Sequence, residues 1–130
     1  MVRVIRPGGR VVIFDFDYDS VSIDSSDRAL TRALIHLASD RVPNGCIGRQ
    51  LPRLFCRAGL QEVQALPQAM ALPFEMLVRA YKGSLQTAQE AGLVSAEAVG
   101  RWWKELEDDA AKGEFFSAMY GFAVVGVRPG

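Results

Sequence analysis

Four apolar residues in a row, Val11-Val12-Ile13-Phe14, are followed by an aspartate at every second position, Asp15, Asp17 and Asp19. The run is short, continuous and largely β-branched, and Pro7-Gly8-Gly9 before it can only be a turn. This spacing predicts a strand over Val11 to Asp17, buried on both faces as in a parallel α/β sheet. A second run, "FFSAMYGFAVVGV" from Phe115 to Val127, is longer, apolar on both faces and interrupted by glycine. It belongs in the middle of the same sheet.

Between these two runs the periodicity changes to that of helices. Ser25-Ser26 is a good N-cap pair for a helix marked by Leu30, Leu34 and Leu37, which Pro43-Asn44-Gly45 ends. Leu51, Leu54, Phe55 and Ala58 mark a helix over residues 49–58 that places Pro52 in its first turn, and Gly59-Leu60 supplies a left-handed C-cap. Glu62 to Leu72 alternates like a strand, but Pro67 removes a ladder donor and confines it to a sheet edge. Two further helices follow. Phe74, Leu77, Val78, Tyr81 and Leu85 mark one, and Val99, Trp102, Trp103 and Leu106 the other, with Gly113 closing it. The expectation is an α/β fold of strand, helices, strand, helices, strand, in one domain over residues 1–130.

Composition narrows the partners. The 130 residues carry 15 Lys+Arg and 15 Asp+Glu, so no net charge draws the chain to nucleic acid or an anionic membrane. Neither partner is expected. No stretch approaches the ~20 apolar residues of a membrane helix, and Met1 to Arg10 does not read as a signal peptide. Cys46 and Cys56 form neither a CxxC motif nor a disulfide framework, which points to reduced thiols and a cytoplasmic location.

The aspartates admit three readings. A strand ending in DxDx(T/V) is the signature of haloacid-dehalogenase phosphatases, and Asp15 and Asp17 fit its first two positions. Position 19 is Asp rather than Thr or Val, however, and the later acidic pair, Asp108-Asp109, lies in a helical pattern. A calcium-binding EF-hand loop fails on Ser20 and Ser26, where Gly and Glu are required. The third reading takes in the flanking sequence. "VRVIRPGGRVVIFDFD" resembles the segment around the fifth strand of class I S-adenosylmethionine-dependent methyltransferases. "NGCIGRQLPRLFCRAGLQEV", Asn44 to Val63, resembles that family's next helix and sixth strand, and "FFSAMYGFAVVGVRPG" is similar to its seventh.

The resemblance implies a partial Rossmann-like methyltransferase sheet, strands 5, 6 and 7 in the order 5-7-6 with the last strand antiparallel. The implied cofactor is S-adenosylmethionine in the full-length family, but the glycine turn and ribose-binding acid that hold it would lie before residue 1. None is expected for this chain alone, because Gly8-Gly9 precede a strand where a cradle must follow one. The chain thus reads as the substrate-side half of a small-molecule methyltransferase, inactive alone, with no catalytic residue assigned and no metal site. The alternative is a free-standing, non-catalytic α/β module that binds a ligand or assembles with itself. On the first reading, Asp17, Tyr18 and Asp19 at the strand end, His36 on the following helix, and Arg49 and Gln50 would line the acceptor pocket. The expected partners are a small-molecule acceptor and either a second copy, joined through strand 11–17, or the missing N-terminal half.

Overall fold

The computed structural model describes residues 1–130. A short 3-10 turn at Val2–Val4 leads into β1 (Arg10–Ile23), α1 (Arg28–Ser39), α2 (Ile47–Arg57), β2 (Gln61–Ala71), α3 (Phe74–Glu90), α4 (Ala96–Lys112) and β3 (Ser117–Val127). The three strands form one sheet in the order β1-β3-β2, with β3 antiparallel to both neighbours. β1 and β2 are therefore parallel to each other, with the reversed last strand between them. Pro67 lies in β2 at a sheet edge, where its missing N–H costs least.

Two cores hold these elements. The first lies between α2 and one face of the sheet, where Leu51 and Phe55 pack on Val11, Leu60 and Val124. The approach is close. A Cβ on Gly126 would stand 2.9 Å from the Phe55 ring, and one on Gly48 2.9 Å from the Phe16 carbonyl oxygen. The second core is a helical layer in which Leu34 and Ala38 of α1 meet Leu77, Tyr81 and Leu85 of α3 and Val99, Trp102 and Leu106 of α4. Val21, Leu72 and Met119 join that layer to the strand ends. Tyr81 and Trp102 thus serve the core, as their helical spacing predicts.

Several local expectations need correction. β1 does not stop at Asp17 but continues to Ile23, because its polar backbone there finds distant partners. Between the pairs Asp17–Tyr120 and Ser22–Ala118 the β1 chain spends five steps against two in β3, a bulge that turns Tyr18 to Ser20 out of the ladder. Tyr18 N–H donates to the Gly45 carbonyl at 2.8 Å, and its own carbonyl accepts from the Tyr81 hydroxyl at 2.9 Å. The Ser20 hydroxyl donates to Asp17 O at 2.6 Å and accepts from Tyr120 N–H at 2.9 Å.

Nor is β1 buried on both faces. Val12 and Phe14 are 64% and 45% exposed, and across the ladder they lie beside Val125, Ala123 and the 52% exposed Leu66. Only the α2 side is covered along this part of the strand. The N-cap of α1 is Asp27, whose carboxylate accepts from Leu30 N–H at 2.9 Å. Ser26 instead binds Glu105 of α4 through its N–H and hydroxyl. Pro52 sits inside α2 rather than in its first turn, because the helix begins earlier, at Ile47. As expected, Gly59 and Gly113 end α2 and α4 with φ of 79° and 75°.

Candidate functional site

The bulge of β1 and the turn into α2 build one polar cluster. Asp17 lies on the sheet face that α2 covers and is only 1% exposed, which would be costly for a lone carboxylate. Arg49, in the first turn of α2, supplies a two-pronged partner. Its Nη2–H donates to Asp17 Oδ1 at 2.7 Å and its Nε–H to Asp17 Oδ2. Asp19 N–H adds a third hydrogen bond to Oδ1 at 3.1 Å. The hydrogen bond to Asp17 holds the Arg49 guanidinium more firmly in its charged form, against a smaller opposing effect of burial.

The Asn44-to-Arg49 turn makes this geometry possible. Asn44 takes a left-handed φ of 54°, which Asn tolerates better than most residues. A Cβ on Gly45 would lie 2.6 Å from the Ser39 carbonyl oxygen. Both Gly45 and Gly48 are thus close-packing positions filled by the chain itself, and neither is open to cradle a cofactor. No glycine turn directly follows a strand in the chain.

Four of the six candidate residues converge here. Asp19 lies 3.7 Å from Arg49 Nη2 and 3.9 Å from His36 Nε2, placing a part-exposed carboxylate between a guanidinium and an exposed imidazole. The His36 separation is too long for a hydrogen bond. Tyr18 contributes through its backbone, while its ring meets Tyr81 edge-on at 6.5 Å. Gln50 is half-buried and lies outside the ion-pair network. Beyond Asp19 and His36 a groove of about 430 Å³ opens between the end of β1 and α1, with Ser20, Ser22, Arg28 and Arg32 on its walls.

Cys46 adjoins the cluster. Desolvation pushes its thiol above the ordinary range, and Arg49 only partly offsets this. It is thus a poor nucleophile near neutral pH. Cys46 and Cys56 are both free. No group of three or more His, Cys, Asp or Glu side chains is arranged to hold a metal ion, and Asp108 and Asp109 lie in α4. No helix is long and apolar enough to cross a membrane.

Sequence reasoning missed two features on α3. One is an apolar slot of about 120 Å³ under the helix, walled by Phe16, Tyr18, Leu72, Met76 and Met119. The other is a groove lined by Arg41 and Arg79. Neither has a periodic signal, since their residues come from segments far apart in the chain.

No protein-family profile matches the chain. It is 36% identical, over 136 aligned positions covering 95% of its length, to an uncharacterized 37.1 kDa protein in transposon TN4556 of Streptomyces fradiae. The chain spans 36% of that protein's length.

Proposed function

We propose that the chain is the substrate-side portion of a small-molecule S-adenosylmethionine-dependent methyltransferase. The observation that carries this reading is the reversed strand β3 between the parallel strands β1 and β2, the arrangement that the resemblance in the RPGG and AGL segments implies. The chain's contribution is to hold the acceptor, because positioning supplies much of the rate in a displacement of this kind. Asp17 and Arg49 fix the bulge that presents Tyr18 and Asp19. On this reading His36, with Asp19 3.9 Å away, takes a proton from an acceptor in the groove that both line. The cofactor is held by residues outside these 130. The free thiols favour a cytoplasmic location.

The Streptomyces fradiae relative has room for a cofactor-binding part beside the aligned third, which makes it the material for the test. Calorimetry with S-adenosylmethionine should show micromolar binding by that protein and nothing tighter than about 1 mM by the 130-residue chain, a gap of roughly 4 kcal/mol. A relative that binds no S-adenosylmethionine overturns the reading.

One observation favours the alternative of a self-assembling module. The outer edge of β1 pairs with no strand, and the apolar side chains next to it are open to water.

A further inference from the structure

Arg41, in the turn after α1, and Arg79, on α3, reach the same groove of about 430 Å³, whose floor is made by Ala80, Gly83 and Ser84. Neither arginine has a carboxylate within ion-pair distance, since the four ion pairs of the chain involve other residues. Arg41 Nε is buried and has no hydrogen-bond partner. A buried donor left unpaired costs about 1–3 kcal/mol, and native folds seldom leave one so without a reason. Two guanidiniums lining one groove with no carboxylate within ion-pair distance fit an oxyanion, which guanidinium N–H groups bind well.

The groove does not end in polar surface. Ala80 is shared with the slot walled by Phe16, Tyr18, Met76 and Met119, whose lining is wholly apolar. At about 120 Å³ the slot approaches the roughly 150 Å³ of an engineered cavity that accepts benzene. Methionine side chains adapt readily to flat or irregular guests. A charged grip and an apolar slot thus meet at one small residue of α3.

We propose that α3 carries a two-part ligand site. Arg41 and Arg79 hold a phosphate or carboxylate, and the ligand's apolar ring or chain crosses Ala80 into the slot between Tyr18 and Met76. The site stands apart from the methyltransferase reading, which puts the acceptor in the groove beside His36. Binding is measured without cofactor, so each idea can fail while the other survives.

The test is a titration of the whole chain, followed by amide NMR, with inorganic phosphate, phenyl phosphate, phenylacetate and benzyl alcohol. Phenyl phosphate, phenylacetate or both should bind at least about tenfold more tightly than inorganic phosphate or benzyl alcohol, shifting the amides near Arg79 and Met76. The stronger of the two identifies the oxyanion. Arg79→Gln, at an exposed position, should weaken the anionic probes about tenfold while leaving the melting temperature unchanged. Ala80→Leu should abolish the advantage of phenyl phosphate over inorganic phosphate and spare the latter. Equal affinity for phosphate and phenyl phosphate, indifference to Arg79→Gln, or no binding by any anionic probe overturns the proposal.

Discussion

Asp17 draws three hydrogen bonds onto a carboxylate that water barely reaches, so its partner matters more than its own charge. At an effective dielectric constant near 20 the gross attraction of such a pair is about 4 kcal/mol, and desolvation of Asp17 takes back much of it. Removing one partner is another matter, because it strands the remaining charge. Arg49→Ala should cost about 2–3 kcal/mol in urea unfolding, below the full penalty of a buried pair because Arg49 is half exposed and water can enter. Arg49→Lys should restore only part of this loss, since an ammonium cannot make the two-pronged contact. A loss under about 0.5 kcal/mol for Arg49→Ala would show that the pair is not structural. Burial raises the pKa of both Cys46 and Tyr81, so the folded state keeps these protons at pH values where the unfolded chain releases them. The sign follows from linkage: their contribution is complete below the unfolded thiol pKa of about 8.5 and declines as pH rises above it. Stability should therefore fall as pH rises above about 8.5, with Tyr81 adding to the decline above about pH 10, and Cys46→Ala should flatten the early part of that decline. Equal slopes for the two proteins would contradict this assignment.

β1 and α2 show what a linear pattern reveals at the scale of an element and what it hides. The apolar runs announced β1 and β3, and Pro67 marked β2 as an edge, because each of these signals is local. The bulge was hidden, since Tyr18 is satisfied by Gly45 and by Tyr81, the latter 63 residues away, and a strand entering a bulge looks like a strand that ends. Asp17 and Arg49 could both be picked out as candidates, yet their pairing became visible only once α2 lay across the sheet. The pairing depends on how closely α2 lies, and Gly48 sets that distance. Gly48→Ala should cost about 1–3 kcal/mol through overpacking against the Phe16 carbonyl and the Phe122 ring, despite the better helix propensity of alanine. Thermal unfolding would check it, and an unchanged or raised melting point would mean that α2 can shift without loss. Tyr81→Phe, which removes only the hydroxyl that ties α3 to the bulge, should cost about 1 kcal/mol.

For the molecule as a whole, the outer edge of β1 sets the outstanding problem. Part of this edge is protected, since Asp15 accepts from Phe16 N–H at 2.8 Å and the Gly45 carbonyl takes Tyr18 N–H. The open stretch is therefore Arg10 to Phe14, shorter than the run from Val11 to Asp17 that the sequence suggests. It still carries no proline or inward charge to discourage pairing, and Val12 and Phe14 stand exposed beside it. Two isolated 130-residue chains can repair the edge by pairing these strands antiparallel across a two-fold axis, which makes one continuous sheet and brings Val12 and Phe14 of both copies together. Each backbone bond gained has a net worth of about 0.5–1.5 kcal/mol, and each apolar side chain carried from exposed to buried about 1.5–3 kcal/mol. A weak dimer that dissociates at about 100 μM needs these gains to exceed the roughly 4–15 kcal/mol cost of association by about 5 kcal/mol, and a dimer in that range is expected. Sedimentation should show that reversible dimer, and Val12→Lys, at a position 64% exposed, should shift it to monomer without lowering monomer stability. Gln64→Lys, on the exposed β2 strand at the far side of the sheet, should leave the equilibrium unchanged. A chain that stays monomeric at hundreds of micromolar, or a dimer that ignores Val12→Lys, would show that the β1 edge is tolerated in water and that pairing does not occur there.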